Sequence, residues 1–364
     1  MAHPAGLDFL VNKNDWKQHR FDDAQVPDLA DGKVVFRVDR FAFTANNITY
    51  ALAGDMLGYW RFFPASDNWG RIPTMGYADV IESKHADVPV GTRCFGFYPM
   101  SRYLVIEPSV VSPTGITDGA PHRADISPFY NQYSPTAGDA LYQPEHEDAL
   151  MLMRGLFMTS FLADDFIAEQ GLGEQAVLIS SASSKTSIAL GHLVSSGARA
   201  RAIGLTSARN LDFVRKLGCY DEVVTYDEVR TLDATQPLVF VDMAGSSSLR
   251  RTIHEHFGNQ LKHSCSIGAT HWDERDERDG TLPGPKPEFF FAPSQGQKRA
   301  ADWGPEEMQR RLAAAWTGFR VFSENWLRVQ RGVGRDAVAR VYEDTLAGRA
   351  EPHHGHVLSL WDDA

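Results

Sequence analysis

No stretch of this sequence is apolar for long enough to cross a bilayer. The opening residues, Met1-Ala2-His3-Pro4-Ala5-Gly6, have no basic patch leading into an apolar core, so no signal peptide is expected. Cysteine is scarce. Cys94, Cys219 and Cys265 lie far apart and show neither a disulfide framework nor a metal-ligand spacing. Cations are outnumbered, with 36 Lys and Arg against 47 Asp and Glu and a formal net charge of -11. Neutralising phosphates takes clustered cations, so nucleic acid is not expected as a partner. Repeats and low-complexity tracts are absent too. What is present is an ordinary globular composition, 43% apolar and 23% charged over 364 residues, which suits two domains and a cytoplasmic location.

Acids are also missing from one particular place: residues 175–211 contain no Asp or Glu, but do contain Lys185, Arg199, Arg201 and Arg209. The window begins with the apolar run Ala176-Val177-Leu178-Ile179, the pattern of a buried parallel strand. Ser180 to Ser187 follow as a turn of small hydroxylated residues, then a helix to about Ser196 with Gly197 placed to end it. A second strand runs from Ala200 to Leu205 and finishes at Thr206-Ser207. Strand, turn, helix and strand make a βαβ unit, whose first turn is where a dinucleotide pyrophosphate sits. The glycine fingerprint of such turns is absent. Ser181, Ser183, Ser184, Lys185 and Thr186 stand there instead, able to donate to an anion; the plainer reading is a capped helix. At the end of the second strand an NAD site needs an acid, whereas Thr206, Ser207 and Arg209 suit the 2′-phosphate of NADPH.

The chain before this unit is β-rich. Gly32 to Ala42 alternates as a strand, Asn46 to Tyr50 reads as a turn leading into a short helix, and aromatics crowd between Trp60 and Trp69. Strands are expected at Tyr77–Glu82, around Cys94–Phe97 and at Tyr103–Ile106, a spacing that indicates a small barrel or sandwich. From Glu107 to Pro144 the pattern fades into Pro, Ser, Thr, Gly and Tyr, including Ser127 to Tyr133. The segment reads as a long connecting loop, either packed over a cleft or merely on the surface. Glu147 to Glu169 is helical. After the βαβ unit come a helix at Leu211–Leu217 and strands at Glu222–Val224, Leu238–Val241 and Ser264–Ile267. Ser180, Asp242 and Gly268 stand at carboxyl ends of strands, where parallel sheets bind ligands. Asp273 to Asp279 is a mixed-charge excursion. Glu288 to Pro293 is strand-like, 304–325 and Arg335–Ala347 are helical, and Val357–Leu360 is a closing strand.

This order is similar to the medium-chain dehydrogenase/reductase superfamily, and most to its zinc-independent, quinone-oxidoreductase-like branch. The likeness rests on Gly32 to Val38, on Arg71-Ile72-Pro73-Thr74-Met75-Gly76, on Val90-Gly91-Thr92-Arg93-Cys94-Phe95-Gly96, and on Gly218 ahead of Glu222 to Tyr226. It covers nearly the whole chain and points to a divergent subfamily known only as a domain of unknown function. The fold it implies is α/β, a GroES-like β-barrel catalytic domain (1–150 and 320–364) with a Rossmann doubly wound parallel sheet (151–319). Where zinc-dependent members carry Cys and Gly-His-Glu, this chain has Asn46-Asn47 and Gly76-Tyr77-Ala78, so no metal is expected.

The resemblance also implies a reaction: hydride transfer from NADPH to an activated alkene (an enone) or a quinone. A ketone or aldehyde reductase, or a non-catalytic nucleotide-binding protein, are the alternatives. The substrate is then an apolar small-molecule carbonyl, enone or quinone, and the assembly a homodimer. Tyr50 matches a tyrosine lining the active site of this branch, with Asn46 or Asn47 near an asparagine there. The plainer readings are a packed aromatic and turn-forming amides. Thr159 matches a threonine beside the nicotinamide, although a helical Thr also bonds its own backbone. Tyr226 matches a tyrosine near the adenosine phosphate. Asp242 through Gly245, and Gly268, Ala269 and Thr270, border the cofactor. Trp60, Phe62, Phe63, Tyr130 and Tyr133 are candidate substrate walls, at least two of them core.

Overall fold

The computed structural model describes residues 4–24, 29–56, 58–124, 126, 130–173, 175–267 and 282–361. Two compact units emerge: Met1–Arg154 with Leu327–Ala364, and Gly155–Trp326. Gly268, Ala269, Thr270, the charged run Asp273 to Asp279 and Ser127 to Phe129 lie outside the described residues.

The first unit is built on β1 (Gly6–Asn12), β2 (Asp15–Ala24), β3 (Val34–Phe43), α1 (Ala45–Leu52), β4 (Trp69–Gly70), β5 (Pro73–Ser83), β6 (Arg93–Pro99) and β7 (Tyr103–Ile106). Then come β8 (Pro108–Ser112), β9 (Gly115–Asp118), β10 (Gln132–Pro135) and α2 (Glu147–Glu169). The unit boundary falls within α2. The alternation Val34, Phe36, Val38 turns one face of β3 inward, and β3 pairs antiparallel with β5 and β7. Phe36, Phe41, Phe43, Trp60, Phe62, Phe63 and Tyr133 belong to one buried core. These aromatics are therefore interior packing, with Tyr130 set against them as a partly buried neighbour.

Two expectations are corrected here. Asn46 to Tyr50 is not a turn before a helix but the body of α1, which starts directly after β3. The stretch 107–144 is not a connecting loop. β8 and β9 form a hairpin, β10 pairs with β9 and β6, and all three extend the nine-stranded sheet. Strands of four or five residues, rich in Ser, Thr, Pro and Tyr, carry too little apolar alternation to be read from sequence. The β1–β2 hairpin was equally hidden, because β2 (DWKQHRFDDA) is mostly polar and has no buried residue.

The second unit follows the alternating pattern closely. It contains β11 (Ala176–Ile179), α3 (Lys185–Ser196), β12 (Ala202–Thr206), α4 (Leu211–Leu217), β13 (Glu222–Thr225), β14 (Leu238–Asp242), α5 (Ser247–Phe257), β15 (Leu261–Ile267), β16 (Glu288–Phe290), α6 (Ala292–Trp303) and α7 (Pro305–Ser323). Its six strands are all parallel, in the order β13-β12-β11-β14-β15-β16. Counted from β11, that order is 3-2-1-4-5-6, the doubly wound arrangement whose ligand crevice opens where strand order reverses, between β11 and β14. The apolar runs of β11 and β14 are buried because helices cover both faces of such a sheet. The chain then returns to the first unit through β17 (Arg328–Val333), α8 (Gly334–Leu346) and β18 (His354–Ser359). β17 and β18 are parallel, and β18 runs antiparallel beside β3. Among the described residues, no helix is long and apolar enough to cross a membrane.

Candidate functional site

The second unit's switch point is held by hydroxyls. Ser180, fully buried at the end of β11, donates through Oγ to Asp242 Oδ1 at 3.1 Å, at the end of β14. The same Oγ accepts the N–H groups of Met243 at 2.8 Å and Ala244 at 3.0 Å. Asp242 Oδ1 also accepts from Ala244 and Gly245, each at 3.0 Å. Asp242 is thus a buried organiser of the β14–α5 turn, its Oδ2 lying 3.5 Å from Arg250 Nε.

The turn after β11 has no glycine, yet one of its serines takes a conformation that favours glycine. Ser181 has φ 50°, the left-handed region that favours glycine, and its N–H donates to the Tyr226 hydroxyl at 3.2 Å. Ser184 is the N-cap of α3: its Oγ accepts the Ser187 N–H at 3.2 Å, a bond worth about 1 kcal/mol. Ser187 Oγ reaches back to the Ser180 carbonyl at 2.9 Å, and Ser183 Oγ accepts from Asn210 Nδ2 at 3.0 Å. Ser160 of α2 lies 2.8 Å from the Thr186 carbonyl and 3.1 Å from that of Leu156. Thr159, one residue earlier, donates to the Gly155 carbonyl at 3.1 Å. Helix geometry leaves the first N–H groups of α3 without intrahelical acceptors, and these with the helix dipole favour an anion.

Lys185 opens α3. Desolvation pulls its ammonium pKa down to about 8, so it is readily neutralised or paired with a bound anion. At the end of β12, Thr206 is buried and its Oγ1 has no hydrogen-bond partner among the described residues, while Ser207 is half-buried and Arg209 exposed. The stretch free of acids in sequence is not free of them in space. Arg199 pairs with Asp164, and Arg201 with Glu222 at 2.9 Å. Those two arginines are committed to the unit's own surface.

In the first unit α1 presents the candidate catalytic groups. Asn47 is buried. Its Oδ1 accepts from Thr44 N–H at 2.8 Å, and its Nδ2 donates to the Pro73 carbonyl at 2.9 Å. Its amide therefore fixes the start of α1 against β5. Tyr50, one turn later, is buried with its ring 4.5 Å from that of Tyr59 and 6.2 Å from that of Phe97. Burial, with the nearby Tyr130 phenol, raises the Tyr50 pKa far above its ordinary value, while a hydrogen bond from the Asn46 side chain opposes this. Among the described residues, no group of three or more His, Cys, Asp or Glu could hold a metal ion. Cys94, Cys219 and Cys265 are buried free thiols whose desolvation pushes each up to about 12.

Ser160 and Tyr220 belong to the turn's surroundings but escape a motif search. Ser160 looks like one more position on the apolar face of α2, and Tyr220 falls in a loop; only the folded unit brings them to residues 181–187.

Solved structures similar to this chain include CurA in complex with NADPH from Vibrio vulnificus, at 12% identity and TM-score 0.61, covering 97% of this chain and 98% of that one. Another is a putative NADPH:quinone reductase from Mesorhizobium loti, at 13% identity and TM-score 0.60, covering 98% and 99%. A third is the mitochondrial 2-enoyl thioester reductase Etr1p/Etr2p heterodimer from Candida tropicalis, at 10% identity and TM-score 0.60, covering 98% and 100%. The fold is accordingly that of the medium-chain dehydrogenase/reductases, with GroES-like and Rossmann domains. No curated protein matches the sequence. Residues 41–351 match the family described as "Protein of unknown function (DUF2855)", and the chain belongs to that family.

Proposed function

We propose that this chain is an NADPH-dependent, zinc-independent oxidoreductase that transfers hydride to an activated alkene or a quinone. The observation that carries the proposal is the turn at Ser181–Thr186. It lies at the switch point of a 3-2-1-4-5-6 sheet, opens a twelve-residue helix, and carries Lys185. The buried Thr206 Oγ1, without a partner among the described residues, precedes an exposed Arg209 in a stretch whose sequence holds no Asp or Glu, which fits a phosphorylated ribose. The similar structures, one in complex with NADPH and the others a putative NADPH:quinone reductase and an enoyl thioester reductase, support the same reading.

Residue roles follow from chemistry. Ser183, Ser184, Lys185 and Thr186 take the pyrophosphate at the start of α3, and Thr206, Ser207 and Arg209 take the 2′-phosphate, with Tyr226 alongside through its bond to Ser181. Thr159 is assigned to the nicotinamide. Asp242, with Gly268 and Ala269, borders the cofactor, Asp242 by shaping the β14–α5 turn. When bound, the nicotinamide supplies a hydride. The chain's part is to hold charge on the substrate oxygen. The Asn46 side chain bonds the Tyr50 phenol and opposes the rise in its pKa; the pair is assigned to the substrate oxygen, with Tyr50 as the donor. Asn47 anchors the helix that carries them.

A homodimer through β16 completes the reading. Among the described residues β16 is an edge strand of its sheet; Phe289 within it and Phe291 just after it are 43% and 41% exposed. The test of the function is product analysis with NADPH and 2-cyclohexenone. Cyclohexanone is the expected product. The allylic alcohol would instead mean carbonyl reduction, and no NADPH consumption with either this enone or 1,4-benzoquinone contradicts the proposal.

A further inference from the structure

The turn after β11 lacks glycines, yet two glycines stand close to it. Gly191 faces inward from α3, and Gly204 lies on β12, paired with Ile179 of β11. The ring of Tyr220 contacts both. A Cβ on Gly191 would sit 2.6 Å from Tyr220 Cε1, and one on Gly204 would sit 3.1 Å from Tyr220 Cδ1 and 3.0 Å from the Ala182 Cβ. The first approach is closer than real side chains come and the second is tight, so the ring occupies space that the glycine at 191 makes and the glycine at 204 widens. From there the Tyr220 hydroxyl donates to the Ala182 carbonyl at 3.1 Å. Ala182 N–H is bound as well, to the Leu205 carbonyl at 2.8 Å.

A phosphate-binding turn must present N–H groups and keep carbonyl oxygens away from the anion. Glycine loops do this through backbone freedom. Here the Ala182 carbonyl is committed to a phenol, and the adjacent Ser181 N–H is committed to another, Tyr226. We propose that Tyr220 is a positioning residue for the dinucleotide pyrophosphate: its ring, seated between Gly191 and Gly204, and its hydroxyl, bound to the Ala182 carbonyl, fix the backbone path of the glycine-free turn. This rests on the nucleotide-binding reading of the turn and adds the device by which serines replace glycines there.

The experiment compares Tyr220→Phe with wild type in binding titrations against NADPH, NADH and adenosine 2′-monophosphate. The variant keeps the ring and loses only the hydroxyl. NADPH and NADH both carry the pyrophosphate, so both should weaken by the same factor, about fivefold to tenfold for one hydrogen bond. Adenosine 2′-monophosphate has no pyrophosphate and should bind unchanged. Gly191→Ala, which displaces the ring, should reproduce the selective loss. Unchanged NADPH binding in Tyr220→Phe overturns the inference, as does an equal loss for all three ligands, which marks general damage to the unit. A wild type that binds none of the three overturns the nucleotide reading itself and the inference with it, an outcome separable because it appears before any substitution.

Discussion

Ser180 Oγ and Asp242 Oδ1 lie 3.1 Å apart, joining the ends of β11 and β14 where the strand order of the parallel sheet reverses. Ser180→Ala removes a hydroxyl that also accepts from the Met243 and Ala244 N–H groups. The Met243 N–H then loses its acceptor in a half-buried place. The expected cost is about 1–3 kcal/mol of unfolding free energy, measured by denaturant titration. A loss near zero would show that water replaces the serine.

Lys185 gives two opposite pH dependences. Desolvation lowers its pKa from 10.5 to about 8 in the folded protein. Between those values the unfolded chain holds more protons, so this group's contribution to stability rises with pH across that window. Binding of NADPH runs the other way if Lys185 meets a phosphate. Affinity falls as pH climbs past about 8, and Lys185→Met flattens that fall. Affinity constant from pH 7 to pH 9.5 in wild type argues against the lysine as a phosphate ligand.

Tyr50→Phe removes the assigned donor to the substrate oxygen. The expected loss is about 100-fold in kcat with NADPH affinity unchanged, since one donor aimed at developing charge is worth that much. Because the Tyr50 pKa is raised, wild-type activity should show no alkaline limb from this group below pH 10. Steady-state kinetics over that range checks both, and a full-activity Phe variant removes Tyr50 from the mechanism.

The edge at β16 makes an assembly prediction. Phe289→Glu places a charge on that exposed edge and should convert a homodimer to monomer, read by light scattering at micromolar concentration. A wild type that is already monomeric contradicts the dimer.

Sequence periodicity reached the second unit more completely than the first, for a physical reason. β11 and β14 are apolar runs because both sheet faces are covered, and α2 and α4 begin and end at Glu147, Glu169, Leu211 and Leu217, where the pattern put them. The first unit hides β2 and β8–β10 because one exposed or polar face leaves no run to see. α5 was not anticipated at all. Its apolar residues Leu249, Ile253 and Phe257 are spaced correctly, but they are diluted by Ser, Arg and His. At the candidate site, Lys185 and Tyr50 were legible as residue types. The bonds that shape the turn after β11, from Ser160 and Tyr220 and between Ser180 and Asp242, are long-range and have no local signature.

The central claim is an NADPH site in the second unit, and a fluorescence titration of wild type and Arg209→Ala with NADPH and NADH tests it most directly. NADPH should bind wild type at least about tenfold tighter than NADH, a difference of about 1.4 kcal/mol, because only NADPH carries the 2′-phosphate that Arg209 can grip. Arg209→Ala should abolish most of that preference while leaving NADH affinity where it was. Equal affinities in wild type, a preference for NADH, or equal losses for both cofactors in the variant would contradict the account.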